Sequence, residues 1–339
     1  MTGAEGPRTV DGPLLEVSDL EVTFRSPDGL VQAVRGVSFS VSAGEVLGIV
    51  GESGSGKSVS LLAVMGLLPA GAKVSGSIRY RGTELVGMPE PQRRRLRGND
   101  IAMIFQDPMT ALNPVLSVGF QIAEAIEVHE PGIRREAAMV KAAEMLDLVG
   151  IPNASERARQ FPHEFSGGML QRTMIAMAIA NNPDVLIADE PTTALDVTIQ
   201  AQILELLERV QDTTGSAILL VTHDLGVIAG MADRVTVMYA GRVAETGEVL
   251  DVFGHPRHPY TLGLLESLPR LDEDARSRLV PIGGNPPSLL HPPPACPFHP
   301  RCRFAELICS QETPLLRPIQ GGHQSACHFA ERLAEVRAS

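Results

Sequence analysis

The chain has 339 residues, 44% of them apolar and none of them tryptophan, enough to bury one large core or two modest ones. A formal charge of −11 offers no basic face for neutralising phosphates, which argues against a nucleic-acid partner. No window approaches the ~20 consecutive apolar residues of a membrane span, and "MTGAEGPRTVDGP" lacks the basic and apolar regions of a leader, so a cytoplasmic protein that is not itself a channel is expected.

Residues 1–13 read as a flexible, solvated tail. The apolar alternation in "LLEVSDLEVTF" predicts a strand, "SPDG" a turn and "VQAVRGVSFSV" a second strand. "AGEVLGIV" is a short apolar strand that runs into the Gly-rich "GESGSGKS", and "SVSLLAVMGLL" then has helical length and composition up to Pro69. Between Pro108 and Pro162 the segments "VGFQIAEAIEVH" and "EAAMVKAAEMLDLVG" predict a helical insertion. An α/β pattern resumes with the helix "GGMLQRTMIAMAIA", the strand "VLIAD", the helix "IQAQILELLERVQ" and the strand "SAILLVTH", which implies a mainly parallel sheet covered on both faces. Beyond Phe253 the composition turns Pro-rich, with one short helix in "HPYTLGLLESLP" and all four cysteines, so a separate C-terminal module is expected.

Gly51 to Ser58 fit G-x-x-x-x-G-K-[ST] between a strand and a helix, the setting the chemistry requires. Glycines there let backbone N–H groups face phosphates, the helix N-terminus adds partial positive charge, Lys57 reaches the β- and γ-phosphates, and Ser58 Oγ ligates Mg²⁺. A Gly-rich turn matching by chance is the bland alternative, and the flanking elements count against it. The candidate ATP-binding residues here are Gly51, Ser53, Gly54, Ser55, Gly56, Lys57, Ser58 and Val59. "PDVLIADEP" ends a strand in Asp189, placed to hold Mg²⁺ through water, with Glu190 beside it as candidate general base. Such acids usually mark a solvated edge; the phosphate loop favours catalysis. "LLVTHD" ends another strand at His223, a candidate partner of the γ-phosphate and attacking water, although a lone histidine is more often structural. "FSGGMLQR" puts a second anion-binding helix N-terminus in a chain whose first loop already wraps one triphosphate, which suggests that it serves a second chain.

With these motifs in order over residues 14–255, the chain resembles the ATP-binding subunits of ABC transporters. The resemblance matches Gly51 to Ser58 to the phosphate loop, Gln106 in "IFQDP" to a glutamine that serves Mg²⁺ and catalysis, and Ser166, Gly167 and Gly168 to the signature loop. It also matches Asp189 and Glu190 to the acidic strand end, Thr193 to Asp196 to the loop that carries Asp196, His223 to the switch histidine, and Phe24 to the aromatic stacked on adenine. It implies an α/β cassette at 14–255 with a RecA-like, mainly parallel core, an antiparallel β-subdomain and a helical signature subdomain at about 107–170, followed by a Cys-rich module at 256–339. Two cassettes would pack head to tail, the signature loop of one closing on the ATP of the other.

"IFQDPMTALNP", "FPHEFSGGM", "IADEPTTALDVTIQAQI" and "HPYTLGLL" resemble the oligopeptide and dipeptide importers, a group with nickel and glutathione relatives. Leu170 stands where that branch usually carries arginine, which is expected to alter contacts at the partner's nucleotide. The resemblance implies a second ATPase, by preference a paralogue, two membrane permeases and an extracytoplasmic solute-binding protein, with this chain at the cytoplasmic face of the membrane. The rival is a non-transport ABC ATPase of DNA repair, translation or iron–sulfur assembly; net acidity, one cassette and no long heptad run count against it. A simple P-loop kinase fails on "SGG".

The cysteines Cys296, Cys302, Cys309 and Cys327 are spaced C-x5-C-x6-C-x17-C, too loose for a zinc knuckle, and disulfides are not expected in the cytoplasm. Thiolates hold iron–sulfur clusters over varied spacings, and the family's "C.FHPRC" segment implies a 4Fe-4S cluster, with zinc as the alternative because tetrathiolate sites suit both.

Overall fold

The structure, a computed structural model, describes residues 12–193, 195–267 and 282–333. Residues 1–11 of the expected tail, Ala194 of the Thr193–Asp196 loop, and residues 268–281 and 334–339 of the expected C-terminal module lie outside the described residues.

The chain opens with β1 (Leu15–Ser26) and β2 (Gly29–Val41), an antiparallel hairpin, followed by β3 (Val46–Val50) and α1 (Lys57–Met65). β4 (Lys73–Tyr80) and β5 (Thr83–Glu84) return to β1, making a four-stranded antiparallel sheet in the order β2-β1-β4-β5. The alternation in β1 is broken once. Val17 and Leu20 are both buried yet three residues apart, and a bulge with Asp19 at φ 48° absorbs the extra residue so that Leu20 and Val22 face inward again.

After α2 (Glu90–Leu96) and β6 (Ile101–Ile104), the helices α3 (Pro108–Ala111), α4 (Val118–His129), α5 (Arg135–Leu148) and α6 (Ala154–Arg157) form the helical insertion, and α7 (Gly167–Ile179) leads back to the core. Then come β7 (Val185–Asp189), α8 (Val197–Thr214), β8 (Ala217–Val221), α9 (Leu225–Met231), β9 (Arg234–Tyr239), β10 (Arg242–Glu248), α10 (Val249–Gly254), α11 (Pro259–Glu266), β11 (Arg317–Gln320) and β12 (His323–Ser325). The main sheet runs β11-β12-β10-β9-β3-β8-β7-β6. Its five strands from β9 to β6 are parallel, and β10, β12 and β11 add an antiparallel flank.

Both faces of the parallel strands are covered, which explains their unbroken apolar runs. On β3, Val46 and Val50 enter the core shared with the helical insertion and α8, while Leu47 and Ile49 enter the core shared with the antiparallel sheet and α1. α8 buries Ile203, Leu206, Leu207 and Val210 at helical spacing, between an Asp196 cap that accepts from Ile199 N–H and a left-handed Gly215. α1 stops at Gly66, whose N–H reaches back to the Ala63 and Leu62 carbonyls, three residues before the expected stop at Pro69.

The segment expected as a C-terminal module is joined to the cassette by its last strands. β12 pairs with β10 through Ser325 opposite Glu245, so this segment continues the main sheet. Glu245 is fully buried: its carboxylate accepts from the backbone N–H groups of Arg257 (2.5 Å) and His258 (3.1 Å), and Oε1 lies 2.7 Å from His323 Nε2.

Candidate active site

The loop from Gly51 to Gly56 leaves the carboxyl end of β3, and its backbone geometry demands glycine at two points. A Cβ on Gly51 (φ 151°) would sit 2.2 Å from the Met238 carbonyl oxygen, and one on Gly56 (φ 101°) 2.6 Å from the Ala33 carbonyl oxygen. Gly241 N–H donates to the Ser55 carbonyl at 3.0 Å and braces the loop from the β9–β10 turn. Ser53 and Gly54 are exposed at the loop's tip, Val59 is half-buried one turn into α1, and Ser55 Oγ is buried with no hydrogen-bond partner among the described residues. Lys57 is only 5% exposed and donates from Nζ to the carbonyls of Gly51 (2.7 Å) and Glu52 (3.1 Å). Burial pulls its pKa below the ordinary lysine value, opposed by the charges of Glu190, Asp189 and Glu52.

Ser58 Oγ donates to Asp189 Oδ1 at 3.0 Å, joining the start of α1 to the end of β7 across the sheet. Asp189 is 6% exposed, and burial holds its carboxyl above the usual carboxylate range, with the Ser58 hydrogen bond acting the other way. Two hard oxygen donors this close, beside a buried ammonium, fit Mg²⁺ on a triphosphate. Glu190, at φ 48°, is the meeting point of the rest. Its Oε2 accepts from Gln106 Nε2 (3.1 Å) and Thr193 Oγ1 (2.8 Å) and lies 3.6 Å from Nδ1 of His223, a ring 69% exposed. The carboxyl ends of β3, β6, β7 and β8 thus bring Lys57, Ser58, Gln106, Asp189, Glu190 and His223 to one site, where open α/β sheets place ligands.

Other expected residues stay apart from this group. Phe24 is half-buried on β1 opposite Val31 of β2. Ser166 caps α7 by accepting from Met169 N–H at 3.4 Å, and a Cβ on Gly168 would lie 3.0 Å from Ile199 of α8. Among the described residues, no hydrogen bond or ion pair joins Ser166, Gly167, Gly168 or Asp196 to the phosphate loop. Leu170 is 3% exposed and packs with Leu112, Val118 and Phe165. It faces the interior of the helical insertion.

The four cysteines line one small cavity walled by Phe298, Phe304 and Phe329. Burial pushes the Cys302 thiol up to about 11 and the Cys327 thiol to about 12. The side chains do not form a metal site as they stand: among the described residues, no three His, Cys, Asp or Glu are arranged to hold a metal ion. The 4Fe-4S expectation and its zinc alternative therefore rest on the donor chemistry alone. His323 is engaged with Glu245, and the His299 and His328 rings face the carbonyls of Cys296 and Glu312.

Sequence reasoning missed Glu52, Tyr239, Tyr260 and Arg301. Arg301 forks onto the Glu52 carboxylate, Nη1 to Oε2 at 2.7 Å and Nη2 to Oε1 at 2.9 Å, and Glu52 N–H donates to Tyr260 Oη at 2.8 Å. The only signal was the position of Arg301 inside "FHPRC", and nothing there names a partner 249 residues away.

The family described as ABC transporter matches residues 34–193, and the one described as oligopeptide/dipeptide transporter, C-terminal region, matches residues 244–309. The oligopeptide transport ATP-binding protein OppD of Mycobacterium tuberculosis is 56% identical over 315 residues, 93% of this chain but 52% of that protein, so the chain spans about half the length of this relative. OppD of Haemophilus influenzae is 51% identical over 93% of this chain and 97% of its own length, and the dipeptide transport ATP-binding protein DppD of Bacillus subtilis is 52% identical over 95% and 96%. Among solved structures, the post-hydrolysis dimer of the ATP-binding cassette MJ0796 with ADP and Pi superposes with a TM-score of 0.63 at 26% identity, covering 69% of this chain and 98% of that one. The two family matches, over residues 34–193 and 244–309, and relatives about half identical along nearly their whole length put this chain in the family of ABC-transporter ATP-binding proteins that includes OppD and DppD.

Proposed function

We propose that this chain binds and hydrolyses ATP to drive an ABC importer of oligopeptides and dipeptides. The observation that carries the reading is the convergence of Gln106, Thr193 and His223 on Glu190, next to the Ser58–Asp189 pair. The loop amides and Lys57 hold the phosphates. Ser58, Gln106 and Asp189 would hold Mg²⁺, which would neutralise charge on the phosphate oxygens. Glu190 accepts the proton of a water that attacks the γ-phosphorus, Gln106 and His223 orient that water, and the bond to the ADP oxygen breaks. Phe24 stacks on the adenine.

The signature loop's lack of contact with its own phosphate loop supports a two-chain site in which Ser166, Gly167, Gly168 and Asp196 serve the partner's ATP, the partner being a paralogous cassette. Two membrane permeases and an extracytoplasmic solute-binding protein complete the assembly, with this chain on the cytoplasmic face. A groove lined by Met65, Met103, Met174 and Met177 and rimmed by the exposed Leu67, Phe105 and Val128 supports docking of a permease there. No helix among the described residues is long and apolar enough to cross a membrane. The transport names of the relatives disfavour DNA repair, translation and iron–sulfur assembly.

In liposomes carrying the permeases, the chain should support ATP-driven peptide uptake that Lys57→Ala abolishes. Uptake of nickel or glutathione in place of peptides would change the substrate, and ATP turnover without any uptake would sink the transport reading. The four thiols around the cysteine cavity are the donors that a 4Fe-4S cluster would need, and such a cluster would fix the Pro-rich segment, a structural role. Protein purified without oxygen should contain about four irons and four sulfides per chain, lost in Cys302→Ser. One zinc and no sulfide would replace the cluster by zinc.

A further inference from the structure

We propose that Arg301 is a positioning residue of the phosphate loop, so that the cysteine-bearing segment completes the nucleotide site. This rests on the ATP-binding reading above. Glu52 puts a negative charge into a loop built for anions, close enough that its field reaches the Lys57 ammonium, and an unanswered carboxylate there would repel phosphate. The structure answers that charge with one guanidinium. Arg301 is 5% exposed and has its donors fully committed: Nη1 and Nη2 to the Glu52 carboxylate, Nη1 also to Tyr239 Oη (3.2 Å), Nε to the Gly283 carbonyl (2.8 Å) and Nη2 to the Ile282 carbonyl (3.3 Å). A side chain so pinned fixes what it binds.

Glu52 is held from its other groups as well. Its N–H donates to the hydroxyl of Tyr260, a fully buried ring, and its carbonyl accepts from Ser55 N–H and from Lys57 Nζ. The orientation of the Glu52 peptide therefore sets where the Lys57 ammonium rests, and Arg301 sets the orientation of Glu52. Phe298, which walls the cysteine cavity, has its ring centroid 5.2 Å from that of Tyr239 and 5.5 Å from that of Tyr260, and Arg301 immediately precedes Cys302. Whatever orders Cys296 to Cys302 thus orders the loop's second residue.

The test is equilibrium ATP binding by calorimetry on the full chain, with thermal melting to confirm folding. Arg301→Ala should weaken ATP about tenfold or more, the effect of one charge-assisted pair, because the Glu52 charge is left unanswered beside the triphosphate. Adding Glu52→Ala to Arg301→Ala should recover most of that loss, which no general loosening of the C-terminal segment would allow. Arg301→Lys, which keeps the charge without the fork, should fall between and serves if the alanine variant does not fold. Unchanged affinity in both Arg301 variants, or a loss that Glu52→Ala does not relieve, overturns the proposal while Lys57-dependent ATP binding still stands. A wild-type chain that binds no ATP overturns the nucleotide reading and this proposal with it.

Discussion

Glu190 holds a left-handed backbone conformation, φ 48°, that costs a non-glycine residue on the order of 1 kcal/mol. Its N–H donates to the Val221 carbonyl at 2.9 Å, so the end of β8 keeps the strained residue in place and aims its carboxylate at Gln106, Thr193 and His223. Glu190→Gln should keep ATP binding but lower hydrolysis ~10²-fold or more, measured as phosphate release, because a neutral amide takes no proton from water. Turnover at the wild-type rate would remove Glu190 from that role. At this scale the sequence was legible where chemistry is local. Lys57 and Ser58 are neighbours, as are Asp189 and Glu190, and each pair sits at a strand end that the apolar runs mark. The Arg301 fork on Glu52 and the Glu245–His323 pair were not legible, since each joins residues far apart in the chain and only the folded sheet brings them together.

Among the elements, those with a clean period were readable: α4 and β7 have the bounds that "VGFQIAEAIEVH" and "VLIAD" give, and α8 overruns "IQAQILELLERVQ" by two residues at its start and three at its end because its caps, Asp196 and Gly215, lie outside the apolar stripe. β10 was hidden by its own composition. "RVAETGE" looks like a polar turn, yet five of its seven residues are buried, since Glu245 and Thr246 find partners inside. α2 buries none of its residues and has no stripe to read. One close helix contact is also cryptic: Gly119 at the start of α4 faces Ala158, and an added Cβ would lie 2.6 Å from that residue's carbonyl oxygen. Gly119→Ala should destabilise the helical insertion by about 1–3 kcal/mol, visible as a lowered melting temperature. An unchanged melting curve would mean that the two segments separate freely.

At the scale of the whole molecule, the phosphate loop and the signature loop make no direct hydrogen bond to each other among the described residues, and a second cassette would bring the two kinds of loop together. The purified chain alone should hydrolyse ATP weakly, and ATP with Glu190→Gln should shift it to a dimer by light scattering, either with itself or with its paralogue. Full turnover by a strict monomer would contradict the two-chain site. The continuation of the main sheet into β12 and β11 bears on how far the chain can be shortened. A chain ending at residue 255 would keep every residue of the nucleotide site named above except Arg301 and its tyrosine neighbour Tyr260, yet it would bare the edge of β10 and strand the Glu245 carboxylate without His323 or the Arg257 and His258 amides. An open strand edge beside an unpaired buried charge is a template for aggregation, so the trimmed cassette should precipitate where the full chain stays dispersed.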